Sequence, residues 1–266
     1  MKFTEKLLGF WIILVILPAV LLGISVFRRS VKVEQETLTG RRLVIVQSLA
    51  NEFNAHFEEV KATLDVLTEL YPKVGAELLS AFHRKIPLIK SITFLSREGK
   101  PFLVVPAGAK LETTDNTRAL YFTEPVASGS VFLPDILGDS IVFMSLPIRS
   151  PRGSIEAVLV CEFDFTPIKQ RLTEVTSSLK NSSVFFVDKH GHTIPKIANT
   201  AHPLVARIVS GTRQWAGPYS SGQVRMFGAS SPIPAAGWCI VLEQPYSDVF
   251  STVNNLGNAG ILMLGL

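Results

Sequence analysis

Arg118 lies three residues ahead of the pair Tyr121-Phe122. An arginine in that position can clamp a ligand carboxylate through two parallel hydrogen bonds, with the aromatic rings walling the pocket. It can equally be a surface arginine capping a short helix, and one of the two rings is expected to be plain core. Asp135 and Glu162 are the acids that could receive an ammonium group. Glu162 stands in an otherwise apolar stretch that begins at Ala157. A buried, unpaired carboxylate is expensive, so Glu162 must face a wet pocket, be paired, or lie on the solvent side.

Other chemistries find less support. His190 and His192 sit two apart on a turn and could offer two metal nitrogens, but no third ligand stands near them, so no metal site is expected. A hydrolase would need an exposed nucleophile, and no Gly-x-Ser-x-Gly elbow occurs. Neither Gly-x-Gly-x-x-Gly nor Gly-x-x-x-x-Gly-Lys is present, so no nucleotide cofactor is expected. Cys161 and Cys239 lie in apolar strands and read as buried thiols and not as a bridge. Nothing in the chain looks like a catalyst.

Composition says what must hold these residues. The 266-residue chain is 47% hydrophobic and only 18% charged, with a mean hydropathy of +0.32, high for a soluble enzyme. Much of the excess sits at the two ends. Leu7–Phe27 carries no charge and is long enough at about 1.5 Å per residue to cross a bilayer core. It runs into Arg28-Arg29 with no small-x-small cleavage site, so it reads as an uncleaved anchor. Arg28, Arg29 and Lys32 on its downstream side argue against an outside domain by the positive-inside rule. The apolar run 259–266 is either a mobile tail or the opening of a second crossing, and the second reading places a long translocated loop between two membrane segments. A net charge of +4 without basic–aromatic alternation argues against nucleic acid.

Between the ends, residues 28–72 read as one long helix. Leu38, Ile45, Leu49, Phe53, Phe57, Val60, Leu64, Leu67 and Tyr71 fall at steps of three, four and seven, and Pro72 ends the run. Such a rod, about 60 Å long, can carry displacement from the membrane to the domain, or merely pack as a stalk. A second helix is expected over Ala76–Lys85. The period then changes to strands. Ile92–Leu95 and Phe102–Val105 flank a turn containing Gly99, and Ile141–Ile148 and Ile155–Phe165 flank Pro151-Arg152-Gly153. The hairpin returns: Ser91 to Gly99 and Ser183 to Gly191 have the same spacing. Leu159-Val160-Cys161-Glu162 likewise has a counterpart in Ile240-Val241-Leu242-Glu243. The reading is α+β: an N-terminal transmembrane helix, a long stalk helix and two tandem PAS-like antiparallel-sheet lobes, bridged by a helix over 165–180.

Together these features resemble the double Cache sensor domain, the outside part of bacterial chemoreceptors, sensor histidine kinases and diguanylate cyclases. The resemblance covers residues 28–255. It is carried by Arg118-Ala119-Leu120-Tyr121-Phe122, Phe132-Leu133-Pro134-Asp135, Leu146-Pro147-Ile148-Arg149 with Gly153, Val187-Asp188-Lys189 with Gly191, and Gly237-Trp238 through Gln244-Pro245. It implies a ligand pocket in the first lobe, with Phe132, Phe143 and Ser145 lining the same cavity as Arg118, Tyr121, Phe122, Asp135 and Glu162; for Phe132, Phe143 and Ser145 a core role is equally open. Family members that bind amino acids have an aspartate at the place of Glu162 and a tryptophan beside Arg118. This chain has neither, so a small carboxylate is expected before an amino acid.

The expected organisation is a cytoplasmic start at 1–6, an anchor at 7–27, the stalk at 28–72 and a membrane-distal ligand lobe with bridging helix at 73–180. A membrane-proximal lobe at 181–248 and an exit segment at 249–266 complete it. The expected function is sensing, in chemotaxis or a two-component system, from the inner membrane with the bulk periplasmic. The expected partners are a small carboxylate or amino acid, the lipid bilayer, and a second copy through the long helix. No catalysis is expected; the alternative is a membrane-tethered hydrolase or a binding protein that does not signal.

Overall fold

The computed structural model describes residues 4–70, 73, 75–86, 88–109, 118–132, 142–197 and 202–251, with side chains described in the first helix for Pro18 and from residue 21 onward. The first element, α1, is a single helix over Thr4–Leu70. The sequence suggests two helices, an anchor and a stalk, and here one helix covers both. The charge-free stretch 7–27 lies largely outside the residues whose side chains are described. Among the described residues no helix is long and apolar enough to cross a membrane. Tyr71, Pro72 and the apolar run 259–266 lie outside the described residues.

The spacing read in the sequence becomes a buried stripe. Leu49, Phe53, Phe57, Val60, Leu64 and Leu67 are buried, and Leu38 and Ile45 pack partly against the same core. Val46 and Ala50 complete the stripe. Each large side chain so buried contributes about 1.5–3 kcal/mol, so tertiary packing holds this helix in place far more than its intrinsic propensity does.

Two antiparallel sheets lie along it. After α2 (Ala76–Lys85), the first sheet is built from β1 (Ile89–Ser96), β2 (Pro101–Val105), β3 (Phe143–Arg149) and β4 (Ile155–Phe163), in the order β2-β1-β4-β3. A short helix α3 (Leu120–Ser128) lies between β2 and β3 in the chain. Helix α4 (Thr166–Ser177) leads to the second sheet: β5 (Ser183–Val187), β6 (Thr193–Ile194), β7 (Trp215–Ser221), β8 (Val224–Ile233) and β9 (Trp238–Pro245), ordered β6-β5-β9-β8-β7. Helix α5 (Pro203–Val209) precedes β7, and α6 (Tyr246–Val249) follows β9. Pro218 lies in β7, an edge strand, the place in a sheet where proline is best tolerated.

Side chains alternate across each strand, so the central strands β4 and β9 serve two cores. Ala157, Leu159, Cys161 and Phe163 of β4 enter the core shared with α1, as do Ile240 and Leu242 of β9. Val158 and Val160 point to the opposite face of the first sheet, and Cys239 and Val241 to the opposite face of the second. The α1 core runs through both lobes without a break. At its middle the Phe57 ring lies 5.4 Å from Phe163 of the first sheet and 5.4 Å from Trp238 of the second. Phe165, at the start of α4, packs on Phe186 and Trp238 in the same junction.

Candidate functional site

The face of the first sheet turned away from α1 carries the polar side chains that a purely apolar core would not contain. Ser91, Thr93, Ser145 and Glu162 are all buried there, at most 2% exposed. Register puts them in rows: Ser91, Glu162 and Phe143 lie across one row, and Thr93, Val160 and Ser145 across the next. Leu95, Tyr121, Phe122, Phe132, Phe143, Val158 and Val160 form one apolar cluster over this face, separate from the α1 core. The Tyr121 and Phe143 rings lie 4.7 Å apart, tilted by 44°.

The helix that covers the face is tied down by a proline. Pro125 lies inside α3 and has no backbone N–H, so the carbonyl of Tyr121, four residues earlier, lacks its helical donor. The Ser145 hydroxyl donates to that carbonyl oxygen at 2.5 Å. The backbones of Ser145 and Phe132 exchange two further hydrogen bonds, N–H of Phe132 to Ser145 at 2.8 Å and the reverse at 3.3 Å. Gly129, with φ 65°, ends α3 in a left-handed cap, its N–H donating to the Pro125 carbonyl.

Glu162 is neither bare nor solvated. Its Oε1 accepts from Lys90 Nζ at 2.5 Å and its Oε2 from Ser91 Oγ at 3.1 Å. Both donors come from one irregularity. The register shifts between Ile89 and Ser91, so Lys90 is an extra residue and two residues of β1 stand where regular pairing would have one. The bulge brings ammonium and hydroxyl together onto the carboxylate.

Of the residues expected in a pocket, Tyr121, Phe122, Phe132, Phe143, Ser145 and Glu162 thus share one face of one sheet. Arg118 is exposed, two residues ahead of α3. Asp135 lies outside the described residues. Lys90, Ser91 and Thr93 were not anticipated; the alternation of Ser91, Thr93 and Leu95 against Ile92 and Phe94 was the available signal.

The second lobe repeats the plan. Ser183 faces Glu243 as Ser91 faces Glu162, and Phe185 and Val187 face Val241 and Cys239. Even the hairpin turns match. Ser96 Oγ accepts from the N–H groups of Glu98 and Lys100, and Asp188 Oδ1 accepts from those of His190 and His192; Gly99 and Gly191 take positive φ in the two turns. Here the carboxylate is held differently. Glu243 accepts from Ser183 Oγ at 2.8 Å, Tyr219 Oη at 2.5 Å and His202 Nε2 at 2.9 Å. Burial pushes the Glu243 carboxyl upward, but the hydrogen bonds from His202, Tyr219 and Ser183 outweigh it and hold it below its ordinary range. His202 also caps α5: its Nδ1 accepts from the Leu204 N–H at 3.3 Å. The two contacts require the neutral ring with its proton on Nε2. Gly228 leaves room for α5, because a Cβ there would lie 2.5 Å from Leu204 Cδ1.

His192 Nδ1 pairs with Asp188 Oδ2 at 2.9 Å, and the His190 ring lies 6.0 Å from that of His192. Among the described residues no group of three or more His, Cys, Asp or Glu side chains could hold a metal ion. Cys161 and Cys239 are both free and buried; desolvation pushes both thiols up, Cys239 to about 11. A groove of about 490 Å³ opens between α3 and the β5–β6 turn, bordered by Leu120, Glu124 and Phe132 on one side and Lys189 and His190 on the other. The helix that covers the first-lobe face therefore borders the second lobe as well.

A family model described as Cache domain matches residues 27–253. No curated protein matches the sequence. Among solved structures, the extracellular domain of the histidine kinase rpHK1S-Z16 is similar at 14% identity and a TM-score of 0.67, over 80% of this chain and 96% of that one. The ligand-binding domain of Pseudomonas fluorescens chemoreceptor CtaA in complex with L-isoleucine is similar at 13% identity and a TM-score of 0.59, over 83% and 98%. That of the Pseudomonas aeruginosa amino acid chemoreceptor PctC in complex with GABA is similar at 17% identity and a TM-score of 0.55, over 75% and 96%.

Proposed function

The chain belongs to the Cache domain family, and from that premise we propose that it is the extracytoplasmic ligand-sensing module of a bacterial membrane receptor. The observation that carries the proposal is the two adjacent rows holding the buried polar side chains Ser91, Glu162, Thr93 and Ser145, beneath the aromatic cover of α3. Buried hydroxyls and a carboxylate among phenyl rings are costly to maintain for packing alone, and they suit a site that recognises a small polar molecule. Structurally similar domains were solved with GABA and L-isoleucine, which supports a small metabolite of that size.

In this reading Leu7–Phe27 anchors the chain, residues 73–180 form the ligand lobe, and residues 181–248 form the membrane-proximal lobe. Arg118 supplies the clamp for a ligand carboxylate, Tyr121, Phe122, Phe132 and Phe143 wall the site, and Asp135 and the Lys90-paired Glu162 form its polar side. Ligand draws α3 down on the sheet, and the change reaches α1 through the shared core and across the groove to the second lobe. A second copy packs along α1, so that a shift in helix packing is passed toward the membrane. The ligand drives this only by its difference in affinity between two packings. The module senses and leaves catalysis to other domains.

Thermal unfolding of the full chain against carboxylates, amino acids and amines tests the proposal. A stabilisation by a member of the panel that disappears in Arg118→Ala is the expected result. Stabilisation unchanged by that substitution removes Arg118 from the site, and no stabilisation by any compound refutes the sensing role.

A further inference from the structure

Lys90 occupies the place on Glu162 that a ligand ammonium would need. Glu162 is 1% exposed, and a carboxylate so buried must be compensated from within if the empty protein is to fold. Both of its oxygens already have donors, Oε1 from Lys90 Nζ and Oε2 from Ser91 Oγ. The bulge at Ile89–Ser91 makes this possible, since it turns an extra side chain toward the face that carries Phe143 and Val160. The Lys90 side chain remains 52% exposed, so its ammonium lies at the rim of the site and not deep in the core.

We infer that Lys90 is a built-in counter-ion that selects against ammonium-bearing ligands, so that the site takes small organic carboxylates lacking an amino group. The inference rests on the sensing role proposed above. An amino acid entering this face meets a neutralised Glu162 and a resident cation, and it must displace Lys90 before its own ammonium finds an acceptor. A carboxylate without the ammonium leaves the Lys90–Glu162 pair intact and brings no second cation to it. Lys90 is therefore a specificity-determining residue, set by one inserted position in a strand.

Matched pairs that differ by an amino group test this on the full chain in detergent micelles: succinate and aspartate, propionate and alanine, butyrate and γ-aminobutyrate, followed by thermal shift and calorimetry. The expected result is binding of the unaminated member at least tenfold tighter than its partner, and a shift of at least tenfold toward the aminated member in Lys90→Met. Equal or tighter binding of the aminated member by the wild type overturns the counter-ion role while leaving the sensing role in place. Absence of binding by every probe overturns both. Should Lys90→Met fail to fold, the charge-free variant Lys90→Met/Glu162→Gln keeps the shape of the pair. It is expected to lose the wild-type discrimination at least tenfold, and discrimination that survives overturns the inference.

Discussion

The Ser145 hydroxyl serves the carbonyl of Tyr121, the one group in α3 that Pro125 leaves without a helical donor. The covering helix is thus fastened to β3 by a bond that a regular helix would not have needed.

A double-mutant cycle isolates that bond. Ser145→Ala leaves a buried carbonyl unsatisfied and is expected to destabilise the fold by about 1–3 kcal/mol. Pro125→Ala supplies an N–H to the same carbonyl, so the cost of Ser145→Ala should fall to less than half in that background. Urea denaturation of the four proteins measures it; equal costs in both backgrounds would show that the hydroxyl matters for some other reason.

Glu243 makes the second lobe acid-sensitive. Its three donors hold its carboxyl below the ordinary value of 4.5, so its contribution to stability is fully present above that value. The contribution is lost as pH falls through the lowered native value. Glu243→Gln is expected to cost about 1.5–3 kcal/mol at pH 7, the range for a hydrogen bond to a charged group. In melting curves recorded from pH 7 to pH 3, the gap between the two proteins should hold steady down to about pH 4.5 and narrow steadily below it. A constant gap would place the acid sensitivity elsewhere.

Cys161 and Cys239 are expected to be silent toward a water-soluble thiol reagent at pH 8. Both are buried, and desolvation raises both thiols well above that pH. Labelling should follow urea unfolding and reach two groups per chain. Fast labelling of the native protein would mean that one of the two strands opens locally.

Much of this architecture was legible because its signals are periodic. The stripe from Leu49 to Leu67 is a count of threes and fours, and the duplicated hairpin is a repeated spacing around Gly99 and Gly191. What escaped notice breaks period. Strand β1 begins at Ile89 and not at Ile92, because the bulge at Lys90 puts two polar residues in succession and interrupts the alternation by which strands are recognised. The span of helix α3 was not foreseen: it holds Pro125, a residue that ordinarily interrupts a helix, and Ser145 takes the orphaned carbonyl. Strands β7 and β8 hold Gly217, Pro218, Gly228 and Pro232, residues of weak strand preference that only their neighbours keep in register. The meeting of Ser183, His202, Tyr219 and Glu243 joins four separate segments, and no local spacing encodes it.

The Phe57 ring, caught between Phe163 and Trp238, gives the two sheets a common fate. A turn of α1 about its own axis that improved its seat on one sheet would spoil its seat on the other, so neither lobe can relax alone. The two halves of a duplicated design, each with its own outer cluster, thus meet on a single aromatic ring and are expected to unfold in one transition.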